Sequence, residues 1–250
     1  TLPSYVIALI LYSIIFKKFD FDTIKYLFFA QNITQNFLIY DYFSIAWSLS
    51  VEEYFYIIFP LLIIFFRKFS FLNISILFIF TIYLIKIIYL LLISNPEFYR
   101  IGTFLRLDSI AFGVLTRIFY PIIKNNFINY ISLFLSILLL FYFKNLQTIT
   151  NEYLFFYILL LQIFSINLII IFLNFDFLIK SIFIIKFFHI IANQTYSVYL
   201  FHLLIIYLLK PFSNTPFLFF YYLFFLFSFS TIFYYFFEKN INKLRPIYKY

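Results

Sequence analysis

The sequence predicts an all-α bundle of membrane-spanning helices. Three observations carry the prediction. The 250 residues are 65% hydrophobic, with a mean hydropathy of +1.02. Charged residues make up only 11%, against roughly 25% in soluble domains. The apolar residues fall in long runs with the basic residues between them, the pattern of spans and their loops. The 44 Phe and 24 Tyr beside only two Gly mark a strong bias in residue usage. Most single aromatic residues are therefore read as lipid-facing or packing. There are no Cys, which excludes disulfides, thiolate catalysis and Cys-based metal sites. The net charge of +8 is dispersed over the loops, which fits membrane topology better than a nucleic-acid partner.

Eight spans are expected, at residues 3–16, 45–66, 71–93, 103–120, 127–143, 152–173, 195–209 and 217–237, each an apolar run bounded by polar or basic residues. Residues 24–40 are semi-polar, with Gln31, Asn32, Thr34, Gln35 and Asn36, and are expected to form a loop with a short interfacial helix. Residues 174–193 mix Asp176, Lys180, Lys186 and His189 with apolar residues, as a helix lying in the membrane interface would. No second domain and no internal repeat is visible, so residues 1–250 are read as one membrane domain. An even number of spans places both ends on one side. Arg67, Lys68 and the tail residues Lys239, Lys243, Arg245 and Lys249 weight that side toward the cytoplasm.

The most informative stretch is Ser44-Ile-Ala-Trp-Ser-Leu-Ser-Val-Glu-Glu-Tyr-Phe-Tyr-Ile-Ile-Phe-Pro60, which sets two adjacent carboxylates in the first half of a span. An ionisable side chain inside the bilayer costs several kcal/mol on most estimates and is a functional-site hypothesis by default. On a helix, Ser44, Ser48, Glu52 and Tyr56 form one stripe, and Glu53 points about 100° away. The expectation is that Glu52 is held inside, facing protein, with Arg106 as its counter-charge. The competing reading makes both glutamates interfacial, since acidic residues also suit a first helical turn.

Other polar residues stand out of place. Arg106 and Asp108 open a span in Arg100-Ile-Gly-Thr-Phe-Leu-Arg-Leu-Asp-Ser-Ile-Ala-Phe-Gly113. Two positions apart on a helix they do not face each other, so each needs another partner. An interfacial pair near a helix end is the alternative. Gly113 suggests a close backbone approach. Lys86 lies mid-span, facing hydrocarbon or a partner helix. His202 sits in Thr195-Tyr-Ser-Val-Tyr-Leu-Phe-His202. Ser197 is five positions before it, off its helical face, so the two make no nucleophile and base pair. Glu238 closes the last span, with Lys239 or Lys243 as a candidate partner. No phosphate loop, nucleotide fingerprint or two-His metal spacing is present, and no metal site is expected.

Together these segments resemble the acyltransferase-3 family of integral membrane O-acyltransferases. Trp47-Ser-Leu-Ser-Val-Glu-Glu-Tyr-Phe-Tyr56 with Pro60 is similar to its "W-S-L-x-x-E-x-x-F-Y…P" signature. Gln31-Asn32 fits the "Q-N" ahead of it, and Arg106-Leu-Asp108…Gly113 resembles its "R-x-D…G" helix. Residues 195–202 look like its "S-Y-x-x-Y-L-x-H" helix, with Thr195 for the serine. Tyr234 to Lys239 resembles its closing "Y-x-x-I-E-K/R-P", with Phe237 for the isoleucine and Asn240 for the proline.

The resemblance implies a ten-span inner (plasma) membrane enzyme with a cytoplasmic C-terminus. It would move an acyl group, expected to be acetyl, from acetyl-CoA or another acyl-CoA to a hydroxyl of a cell-surface polysaccharide. It also implies a piece that lacks its first two spans and with them the general-base His, which neither His189 nor His202 matches. The piece alone is expected to be inactive. Glu52 would orient that His or stabilise its cation, and Trp47, Tyr56, Arg106, Asp108 and His202 would contact substrate. A transporter or flippase for a polysaccharide or lipid-linked sugar would use the same intramembrane charges, with an internal repeat that is not seen. A non-catalytic membrane subunit is the third reading.

Overall fold

Among the described residues, eleven segments coil into α-helices, the eleventh a short continuation of the tenth. The structure is a computed structural model and describes residues 2–33, 42–92, 95–124, 127–144, 151–175, 181–212 and 217–244. Thr34, Gln35, Asn36, Asp176, Lys180, Arg245 and Lys249, which the sequence reading used, lie outside the described residues, as do the side chains of Lys144 and Glu152.

In chain order the helices are α1 (Leu2–Phe16), α2 (Phe21–Leu27), α3 (Ala46–Phe65), α4 (Phe71–Leu92), α5 (Pro96–Ile101), α6 (Thr103–Ile123), α7 (Ile128–Lys144), α8 (Asn151–Phe175), α9 (Ile182–Leu209), α10 (Leu218–Phe233) and α11 (Lys239–Lys243). A π turn at Tyr234–Glu238 joins the last two. Helices are the form that satisfies every backbone polar group within one segment, which hydrocarbon demands. The all-α prediction holds, and each of the eight expected runs is helical. Five helical runs are long and apolar enough to cross a membrane: Ala46–Phe65, Phe71–Leu92, Tyr153–Asn174, Ile182–Phe212 and Leu218–Lys243. Leu2–Phe16 and Ile128–Phe143 are shorter apolar helices, and α6 is long but carries Arg106, Asp108 and Arg117.

One boundary is corrected. Residues 182–193 do not form a separate interfacial helix; they run unbroken into the span that follows, as the 28-residue α9. The polar run that suggested a break is satisfied inside the helix. Asn193 Nδ2 meets His189 Nδ1 at 3.0 Å, the Thr195 hydroxyl donates to the Ile191 carbonyl at 3.2 Å, and Gln194 accepts from Thr231 at 3.1 Å. With no Gly or Pro among its residues, nothing stops the helix.

By contacts the chain forms two compact units. The first holds α1, α2, the turn at residues 42–45 and α9 to α11. Its centre is aromatic: Tyr5, Tyr12, Tyr26, Tyr42 and Phe43 are all buried. Their hydroxyls find partners, as buried Tyr requires: Tyr5 donates to the Tyr26 carbonyl at 2.8 Å and Ser13 donates to Tyr42 at 3.2 Å. Tyr12 goes further. Its hydroxyl donates to the Leu200 carbonyl at 3.1 Å and accepts from the Leu204 amide at 3.0 Å. It thereby bridges the two ends of one rung of the α9 ladder.

The second unit holds residues 28–33 and α3 to α8. Val51, Phe55 and Phe59 of α3 pack against Phe78 and Ile82 of α4 and against Leu107 and Ala111 of α6. A second cluster gathers Tyr89, Phe98, Tyr99, Leu105, Leu154 and Ile158. α7 lies along α8, with the Asn167 amide donating to Ser132 at 2.8 Å.

Candidate functional site

In the second unit, Gln31 and Asn32 pin the starts of two helices to one place. The Gln31 amide donates to the Ala46 carbonyl at 2.9 Å and to the Ser50 hydroxyl at 2.5 Å. The Asn32 side-chain amide donates to the Ile101 carbonyl at 2.6 Å and to the Trp47 carbonyl at 3.4 Å, while the Asn32 backbone carbonyl accepts from the Thr103 amide at 3.1 Å. Orphan backbone groups at helix ends need such partners. The consequence is that the Trp47–Tyr56 stretch on α3 and the Arg106–Asp108 stretch on α6 begin side by side. Tyr54 meets Phe104 edge-on at 5.6 Å, which closes the same end.

Gly102 makes the α5–α6 corner possible. A Cβ there would lie 2.8 Å from the Phe98 carbonyl oxygen, a distance real Cβ atoms do not tolerate. Its φ of −56° is ordinary, so space and not conformation requires the glycine. Gly113 is the reverse: a Cβ there would meet nothing within 4 Å. The expected close approach belongs to Gly102 instead.

One turn into α6 lies a buried charge network. Lys86 Nζ of α4 meets Asp108 Oδ2 at 2.5 Å, with side-chain exposures of 2% and 0%. Gln162 of α8 donates to the same oxygen at 2.8 Å and to Ser109 Oγ at 2.9 Å. Its carbonyl accepts from Tyr83 at 3.2 Å, and Lys86 Nζ sits 4.9 Å from the Tyr83 ring centre. Lys86 therefore faces neither lipid nor water, and Asp108 is no interfacial residue. Two opposite charges taken out of water persist when paired and held by further hydrogen bonds, here the one from Gln162 to Asp108 Oδ2. Arg106 is half-buried and in no ion pair with a described residue, and its Nε is buried without a hydrogen-bond partner among them. It lines a cavity of about 150 Å³ with Ser109, Gly113, Gln162 and Ser165.

The glutamates depart from expectation. Glu52 is exposed and Glu53 half-exposed, and neither pairs with Arg106. The face of α3 that packs is the one with Val51, Phe55 and Phe59; both carboxylates lie off it. Trp47 is half-buried against that core, and Tyr56 is 60% exposed. The buried Glu52–Arg106 pair expected from the sequence is not formed.

A model described as an acyltransferase domain matches residues 1–239. The chain belongs to the acyltransferase-3 family. No curated protein and no solved structure matches it. As a member it is a multi-pass membrane acyltransferase, and its chemistry requires an acyl donor.

In the first unit of this acyltransferase, His202 is half-buried, and its Nδ1 lies 2.7 Å from the Tyr199 carbonyl. A carbonyl only accepts, so Nδ1 carries a proton and donates to it. The Tyr199 hydroxyl donates to the Ile45 carbonyl at 2.8 Å. Glu238 is buried at the π turn beside the hydroxyls of Ser4 and Ser197, and is in no ion pair with Lys239 or Lys243. Among the described residues no group of three His, Cys, Asp or Glu side chains is placed to hold a metal ion.

The sequence marks Lys86 as a charge in mid-span without naming its partner, and it does not mark Tyr83, Ser109 or Gln162 as members of the network. The available signal was a pair of opposite charges inside neighbouring spans with no other neutraliser.

Proposed function

We propose that this acyltransferase moves an acetyl group from acetyl-CoA to a hydroxyl of a cell-surface polysaccharide, from the plasma membrane with its C-terminus in the cytoplasm. The observation that carries the reading is the joint anchoring of α3 and α6 by Gln31 and Asn32. It sets Trp47, with its flat apolar ring, at the end of the unit where Arg106 brings a cation. An aromatic ring suits a sugar, and a guanidinium suits a phosphate. The transfer needs a base for the attacking hydroxyl. By the family resemblance that base is a His that neither His189 nor His202 matches, with Glu52 orienting it or steadying its cation, as the acid of a triad does. Exposure of Glu52 leaves it free to meet such a partner. In this scheme Tyr56 contacts substrate, Asp108 ties α6 to α4 through Lys86, and residues 1–250 by themselves are inactive.

The test is O-acetylation of the surface glycan by the full-length protein carrying Glu52→Gln or Glu53→Gln. The expected result is a loss of at least about tenfold for Glu52→Gln and near-normal acetylation for Glu53→Gln, since removal of one orienting group costs a factor of ten or more. Normal acetylation by Glu52→Gln would remove Glu52 from the mechanism.

A further inference from the structure

The cavity between α6 and α8 poses a charge problem. Asp108 is the carboxylate nearest Arg106 in sequence, and it is already committed: Lys86 and Gln162 both bind its Oδ2, at 2.5 and 2.8 Å. The positive charge of Lys86 is cancelled there. Asp108 also attracts Arg106 through space, but one carboxylate then faces two cations; Arg106 forms no ion pair with a described residue, and its buried Nε has no hydrogen-bond partner among them. An Arg held in a membrane helix without an anion is costly, and a guanidinium is built to grip oxyanions.

The polar lining agrees, set among the apolar Phe112, Leu161, Ile166 and Ile169. Ser109 Oγ accepts from Gln162, so its own O–H is free to donate. Gln162 is itself only 8% exposed, and all its polar atoms are engaged; it holds Ser109 in place without competing for a ligand. Ser165 gives its proton to the Leu161 carbonyl at 2.8 Å and turns a lone pair outward, a fit for a protonated oxygen. Gly113 leaves room, since a Cβ there would meet nothing within 4 Å. Asp108 Oδ1 is buried without a partner but is no part of the cavity wall. At about 150 Å³ the space takes one compact oxyanion and not a nucleotide.

From this charge balance we infer that the Arg106–Ser109–Gln162–Ser165 cavity is a binding site for a single phosphate group. Gln162 acts as a positioning residue for Ser109, and Gly113 keeps the cavity open. The inference deepens the acyltransferase reading by naming the chemistry Arg106 recognises, and it rests on that reading only for the source of the phosphate. A CoA phosphate and a lipid headgroup phosphate share that chemistry.

The test is equilibrium binding of radiolabelled inorganic phosphate, into the millimolar range, to the full chain in phosphate-free maltoside micelles. The expected result is saturable binding, weakened at least about tenfold by Arg106→Gln and by Gly113→Leu and unchanged by Lys68→Gln, a basic residue outside the cavity. Folding is checked by circular dichroism and melting temperature. Gly113→Leu fills empty space and touches no charge, so it stays informative if Arg106→Gln misfolds. Competition then identifies the source. Displacement by CoA but not by 3′-dephospho-CoA upholds the site and assigns the 3′-phosphate. Displacement by both upholds it and assigns the pyrophosphate. Displacement by phosphatidylglycerol alone upholds it and removes CoA as the ligand of Arg106. If phosphate does not bind, or if folded Arg106→Gln and Gly113→Leu proteins keep its affinity within twofold, the site is overturned. In that case CoA binding that ignores both substitutions leaves the acyl-CoA reading standing.

Discussion

Replacing Lys86 by Met tests the buried network directly. The side chains are close in length, so the change removes a charge and leaves little cavity. Asp108, 0% exposed, then keeps Gln162 but loses its cation at 2.5 Å. Removing one partner of a buried pair costs about 3–5 kcal/mol. For a chain of this length each kcal/mol moves the melting temperature by about 2–4 °C, so Lys86→Met should melt about 6–20 °C below the parent. Asp108→Leu strands the ammonium and frees Gln162, and should cost at least as much. Combining Lys86→Met with Asp108→Leu removes both charges, and an apolar replacement of a whole buried pair is close to neutral. The double variant should therefore sit above either single one by about 2 kcal/mol or more. Tyr83→Phe, which deletes only a neutral hydrogen bond to Gln162, should cost about 0.6 kcal/mol, the usual value inside a bilayer. The assay is thermal denaturation in maltoside micelles followed by far-ultraviolet circular dichroism. A Lys86→Met protein melting within about 2 °C of the parent, or a double variant that loses the sum of the two single losses, would refute the reasoning.

Two further predictions follow from packing. Gly102→Ala pushes a methyl group to 2.8 Å from the Phe98 carbonyl oxygen and should cost about 1–3 kcal/mol, as overpacking does; Gly113→Ala meets nothing within 4 Å and should stabilise α6 by up to about 1 kcal/mol through helix propensity. The same melting assay separates them, and equal effects would contradict the geometry. Asn32→Leu removes the donors to the Ile101 and Trp47 carbonyls and should cost about 1–3 kcal/mol, the penalty for orphaned buried groups. Trp47 is the one tryptophan of the chain, so its emission reports loosening at the start of α3, and an unchanged spectrum with unchanged stability would mean that Asn32 is no anchor.

The spans were legible because the rule that makes them is local. A run such as Phe71–Leu92 is apolar from end to end, and hydrocarbon leaves its backbone no alternative to a helix. Local reasoning failed where polar residues looked like a boundary. Asn193, Gln194 and Thr195 read as the edge of a span, yet their bonds to His189, Thr231 and Ile191 lie within α9 or reach α10. A sequence shows that such groups need partners; it does not show whether the partners are water or the next helix.

The site was legible only in part, for a related reason. The sequence shows which charges a membrane segment carries, and it displayed Glu52, Lys86, Arg106 and Asp108. Which of them meet depends on how each helix is rotated, and the bulkiest apolar face sets the rotation. On α3 that face holds Val51, Phe55 and Phe59; burying two Phe side chains is worth several kcal/mol, and Glu52, about 100° round from Val51, is turned outward as a result. On α4 and α6 the faces with Phe78, Ile82, Leu107 and Ala111 pack together and carry Lys86 and Asp108 inward with them. The acid expected to be buried is therefore exposed, and Asp108, for which the interface was the alternative place, is buried. Because that exchange commits Asp108 to Lys86, it leaves Arg106 sharing that carboxylate's field without an ion pair of its own, which is why the cavity beside it is the place to look for an anion.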